Sequence, residues 1–150
     1  MFDPEEVIGK FDPETRIVHL TARSRIQPAD LAEGKLLGEA VKAIVKRFLS
    51  DGRGYLMTDY TNIIIEPKEV EEYSRIIKEL MDEYLYPGGI ARYGFEISRI
   101  NARLAHQEYL GGNPNLFDTR EAALAYLNGL IARNRAAQET ASCPSPPETS

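Results

Sequence analysis

The sequence predicts an α/β fold, a single mixed and mostly parallel sheet of about five strands with helices packed on it. Three observations predict it. β-prone apolar runs alternate along the chain with stretches whose apolar residues recur at helical spacing. The run Tyr55-Leu56-Met57-Thr58-Asp59 is apolar enough to be covered on both faces, as strands lying between helices are. Helices between successive strands then favour parallel crossovers, and the order reads β-β-α-β-α-β-α-β-α.

Val7-Ile8-Gly9-Lys10-Phe11 and Arg16-Ile17-Val18-His19-Leu20-Thr21-Ala22 are joined by Asp12-Pro13-Glu14-Thr15, whose Asp-Pro start suits a type I turn, so a hairpin opens the fold. Pro28 suits a helix start. Leu31, Leu36, Leu37, Ala40, Val41, Ile44, Val45 and Phe48 carry that helix to Ser50-Asp51-Gly52. Gly34 and Gly38 inside it each cost about 1 kcal/mol relative to alanine, so either the helix begins after Gly34 or it packs closely at these points. After the 55–59 strand and the polar break Tyr60-Thr61-Asn62, Glu66-Pro67 opens a second helix. Val70, Tyr73, Ile76, Ile77, Leu80, Tyr84 and Leu85 form its apolar stripe, and Tyr86-Pro87-Gly88-Gly89 stops it.

Ile90-Ala91-Arg92-Tyr93-Gly94-Phe95-Glu96-Ile97 alternates as a strand, with Ala91, Tyr93, Phe95 and Ile97 on one face and a more polar face opposite. Ser98 caps a third helix running to about Leu110, whose apolar face is thin, with Ile100 and Leu104 and little else. Asn115-Leu116-Phe117 reads as a short edge strand. Asp118, with Glu121 three residues on, opens a last helix carrying Leu124, Leu127, Leu130 and Ile131. Residues 1–133 make one domain without internal repeats, and 134–150, with no periodic apolar residue, reads as a disordered tail.

At 150 residues and 43% hydrophobic content the chain can fill one core without disulfide or metal staples. Its formal net charge of −5 disfavours the phosphate neutralisation on which nucleic-acid affinity rests, so no nucleic-acid partner is expected. The one cysteine, Cys143, allows neither an intramolecular disulfide nor a Cys-rich zinc site, as a reducing compartment would suit. Met1-Phe2-Asp3-Pro4-Glu5-Glu6 is acidic and proline-broken, unlike a signal peptide, and no apolar stretch reaches membrane-spanning length. The expectation is a cytoplasmic protein that does not insert in membranes.

The element order, together with two local patterns, resembles the STAS domains of bacterial anti-sigma-factor antagonists over residues 5–133. The first is the apolar strand ending in Asp59 with a small hydroxyl residue, Thr61, before the turn into the second helix. The second is Phe117-Asp118-Thr119-Arg120-Glu121-Ala122-Ala123-Leu124, similar to the family's closing Phe, Ser or Thr, then Glu-Ala-Leu pattern. The resemblance implies a regulatory domain that docks other proteins. Phosphorylated antagonists carry a serine pair followed by glycine at the start of the second helix, whereas this chain has Glu66-Pro67-Lys68-Glu69 there. The resemblance therefore points to a divergent STAS-like group not switched by serine phosphorylation at that position.

Candidate sites follow. His19 in a strand and His106 on the third helix lack metal-ligand spacing, and a satisfied or solvent-facing imidazole accounts for each better than general-base work. No cofactor or metal is implied. Gly52-Arg53-Gly54 precedes a strand, whereas phosphate-cradling loops follow one. Asp59, Thr61 and Asn62 fall at the end of a central strand, where open α/β sheets place ligands and contacts, although a locally hydrogen-bonded turn also explains them. The second helix presents an acidic outer face, and Arg99, Arg103 and His106 share one side of the third helix, with Arg92 on the strand before it. Such strips select and steer partners. The expected function is a non-enzymatic module that docks a protein partner, or a second copy, through the second-helix start with Glu66 and Lys68 and the Arg99–Arg103 face. The alternative is a small-ligand or nucleotide sensor at Asp59, Thr61 and Asn62, assisted by Arg53 or Arg92. A hydrolase using His19 or His106 ranks third.

Overall fold

The computed structural model describes residues 3–64, 70–94 and 115–142. The hairpin forms where its turn chemistry places it: β1 (Val7–Asp12) pairs antiparallel with β2 (Ile17–Ala22). Asp12 accepts from the Glu14 amide through its side chain (2.9 Å) and from the Arg16 amide through its carbonyl (2.7 Å). The return puts Arg16 in the left-handed region, φ 62°, where a non-glycine residue persists only if its surroundings hold it. Its guanidinium supplies that hold, donating to the Arg53 and Gly52 carbonyls and to Asp51 (2.7, 3.1 and 2.9 Å).

The first helix, α1 (Leu31–Phe48), starts three residues after Pro28 because Asp30 is the residue that caps it. Asp30 accepts from the Glu33 amide, and the Glu33 carboxylate reaches back to the Ala29 amide, both at 2.9 Å, satisfying donors that a helix start leaves open. Gly34 and Gly38 both lie inside it and are buried. A Cβ on Gly38 would stand 3.0 Å from the Cδ1 of Ile76, so the glycine is there for close packing against the second helix, α2 (Val70–Tyr84).

Between the helices runs β3 (Gly54–Asp59), buried from Gly54 through Thr58 as its double-sided apolar pattern requires. β3 lies parallel to β2, and β4 (Leu85–Tyr93) lies parallel to β3, giving the order β1-β2-β3-β4. Among the described residues the sheet has four strands, where about five were expected. The expected edge strand at 115–117 is reduced to a single parallel bridge, Arg92 to Leu116.

The structure corrects three further expectations. Tyr86-Pro87-Gly88-Gly89 does not stop α2, which ends at Tyr84, and β4 begins at the next residue. The four residues instead form a bulge, since Gly54 pairs with Leu85 and Leu56 with Ile90, and Gly88 takes the positive φ (72°) the bulge needs. The helix end is capped from outside: the Arg53 guanidinium donates to the carbonyls of Asp82 and Leu85 (3.1 and 2.7 Å). The last helix, α3 (Arg120–Ser142), takes Thr119 rather than Asp118 as its cap, the Thr119 hydroxyl accepting from the Ala122 amide (3.1 Å). It also continues past Arg133 to Ser142, where a disordered tail was expected. The expected third helix and the strand residues 95–97 lie outside the described residues.

Three layers result. On one face α1 and α2 enclose Val18, Leu20, Leu37, Val41, Leu56, Tyr73, Ile77 and Leu80. On the other, Ala123, Leu127 and Ile131 of α3 cover Ile17, Tyr55, Met57, Ala91 and Tyr93. No helix among the described residues is long and apolar enough to cross a membrane.

Candidate functional site

The ends of β3 and β4 bring several polar groups together. Asp59 closes β3 and accepts, through one oxygen, the amide (2.9 Å) and hydroxyl (2.5 Å) of Thr61. The next residue, Tyr60, turns into the core, donating its amide to the Tyr93 carbonyl (2.8 Å) and pairing its hydroxyl with that of Tyr73. Asn62 ties the turn to the end of β2 by donating to the Ala22 carbonyl (3.3 Å). Thr61 and Asn62 remain exposed on a turn fixed from both sides. Gly94, at φ 90°, presses against that turn: a Cβ there would come within 2.7 Å of Asp59 Oδ1 and of both Thr61 polar atoms.

Behind the turn, on the α3 face, His19 Nε2 lies 2.7 Å from the Tyr93 hydroxyl, with ring centroids 6.0 Å apart. Tyr93 is only 7% exposed and His19 is half-buried. Burial lowers the His19 pKa, the Arg120 and Lys10 charges lower it further, and Asp59 opposes them. Burial and the Asp59 carboxylate push the Tyr93 phenol up to about 12. The arrangement holds a neutral imidazole hydrogen-bonded to a protonated phenol, beside a carboxylate and two cations. It offers hydrogen-bonding recognition at the exposed rim, and no group of three potential metal ligands occurs among the described residues.

The sequence-predicted residues divide sharply. Asp59, Thr61 and Asn62 come together as expected and share one rigid turn. Arg92 does not stand on a surface strip. It is 0% exposed, on the α1–α2 side of the sheet, where its charge lowers the Tyr60 and Tyr73 pKa values against the larger opposing effect of burial. Arg53 sits at the opposite end of β3, committed to the end of α2. Glu66, Lys68, Arg99, Arg103 and His106 lie outside the described residues. The acidic face of α2 is partly neutralised: Lys42 of α1 approaches Glu79 and Glu83 (3.7 and 3.8 Å), and Arg75 bridges Glu72 and Glu79 (2.9 and 2.7 Å). The His19–Tyr93 pair and the nearness of Arg120 were missed, because strand register and the seating of α3 decide them. The only local signal was two polar-tipped rings at strand positions otherwise apolar. A surface cleft of about 490 Å³ runs along the start of α1, lined by Asp30, Glu33, Lys35, Leu36 and Glu39 among others, and includes none of these residues.

No protein-family model, no curated protein and no solved structure matches this chain.

Proposed function

We propose that the chain is a non-enzymatic, STAS-like interaction module that docks a protein partner, or a second copy of itself, at the carboxyl ends of β3 and β4. The observation that carries this reading is the 59–62 turn. Thr61 and Asn62 are presented to solvent while Asp59, Gly94 and the end of β2 fix the backbone beneath them, so docking would order little that is not already ordered. The hairpin followed by two parallel crossovers, with a capped helix closing the other face, supports the STAS-like part.

The test compares wild-type protein with a Thr61→Arg/Asn62→Arg variant, by concentration-dependent mass in sedimentation and by capture of protein from lysate. The expected result is a partner or dimer lost in a variant that still unfolds cooperatively, its melting temperature lowered only by the loss of the Thr61 and Asn62 side-chain hydrogen bonds. A strict monomer that captures nothing overturns the reading, and capture indifferent to both substitutions moves docking away from this edge.

A small-anion sensor at the same edge is the second reading. Arg120 favours it, being the cation whose field reaches His19 and Tyr93, whereas Arg53 and Arg92 are committed elsewhere. Absence of any thermal shift across nucleotides and anionic metabolites would remove it.

A further inference from the structure

We propose that His19 makes the junction between the sheet and the first turn of α3 an acid-sensitive latch. His19 projects from the middle of β2 onto the face that α3 covers, where its Nε2 meets the Tyr93 hydroxyl of β4 at 2.7 Å. Each element packed around it contributes a charge or a titratable group. Lys10 lies directly across the hairpin on β1, Asp59 ends β3, and Arg120 opens α3 with Glu121 acting on Tyr93 beside it. Two of these groups are fixed cations. The one carboxylate that favours a charged imidazole, Asp59, already accepts two hydrogen bonds from Thr61 through one oxygen.

A neutral imidazole suits this setting, and a protonated one adds a third positive charge in a half-buried place. Relief comes from parting Arg120 from His19 and letting water in. The opening stays local. Leu127 and Ile131 bury the helix beyond its first turn, and Tyr126, Asn134 and Arg135 tether it by hydrogen bonds to Gly88, Tyr55 and Glu14. Because the closed state holds His19 below the ordinary 6.5, the latch keeps its full strength above pH 6.5 and loses it as pH falls below that value. This inference does not rest on docking at the neighbouring edge.

The experiment is amide hydrogen exchange at Ala122 and Ala123, corrected for intrinsic chemistry and referenced to Leu127, at about pH 8 and about pH 5, with the His19 ring signal titrated by NMR. In wild-type protein the two first-turn amides should exchange several-fold faster at the lower pH while Leu127 does not, and in His19→Gln the ratio should stay flat. Lys10→Met, on the exposed edge strand, keeps the imidazole and should raise its midpoint while shrinking the acid effect. A wild-type ratio indifferent to pH, an equal acid response in His19→Gln, or an unmoved His19 midpoint in Lys10→Met overturns the latch.

Discussion

Arg92 shows how far a single residue's setting can depart from its local signal. Alternation puts it opposite Ala91 and Tyr93, and in most half-exposed strands that would mean solvent. Here the opposite face is the larger core, so the guanidinium is enclosed near the phenols of Tyr60 and Tyr73. Whether an arginine in a strand is outside or inside depends on what lies above it, which no short window of sequence contains. Arg92→Ala removes a long side chain from a fully buried place together with the charge beside two tyrosines. We expect a loss of about 3 kcal/mol, read from the urea midpoint, and a smaller loss for Arg92→Met, which keeps most of the volume. Equal losses would show that volume contributes nothing there. Asp59, Thr61 and Asn62 were legible for the opposite reason, since a carboxylate two residues before a hydroxyl at a strand end makes its own turn.

At the scale of elements, strongly periodic segments declared themselves and polar ones did not. Tyr73, Ile76, Ile77 and Leu80 of α2 are buried as their spacing predicts. The second half of α3 lacks such a stripe. It is built from good helix formers and held by Asn134 to Tyr55 (2.9 Å), Gln138 to Tyr86 (3.3 Å) and Arg135 to the Glu14 carbonyl, contacts with no period to detect. Glycine in α1 could be read two ways from sequence, and the α1–α2 packing decides between them. Gly38→Ala gains up to about 1 kcal/mol of helix propensity, but its methyl would press on Ile76 at 3.0 Å. Ile76 is buried and stiff at χ1, so overpacking at about 1–3 kcal/mol should prevail. A net loss near 1 kcal/mol in thermal unfolding is the expected outcome; a stabilised Gly38→Ala would mean that the helices part freely.

For the whole molecule, alternation of strands and helices was enough to give a mixed sheet covered on both faces, while strand number and the depth of its polar groups needed register. Those buried phenols set the response to alkali. Tyr93 is pushed up from 10.0 to about 12, and burial raises Tyr60 and Tyr73 as well. The native state keeps protons that the unfolded chain releases, so stability is full below pH 10 and falls as pH rises from 10.0 toward about 12. Tyr93→Phe should flatten part of that decline in urea midpoints measured across this window, leaving the share of Tyr60 and Tyr73. An unchanged slope would place Tyr93 outside the coupling.

The strand order β1-β2-β3-β4 is also the order of synthesis. Each strand emerging from a ribosome finds its neighbour already made, and the crossover helices α1 and α2 can settle on their face as they arrive. Among the described residues the other face has no such provision. Ile17, Tyr55, Met57, Ala91 and Tyr93 wait uncovered until α3, the last of these elements to be made, is released. A nascent chain paused before Arg120 would therefore carry β1–β4 without the cover that α3 gives this face, the interval in which a chaperone would serve it most.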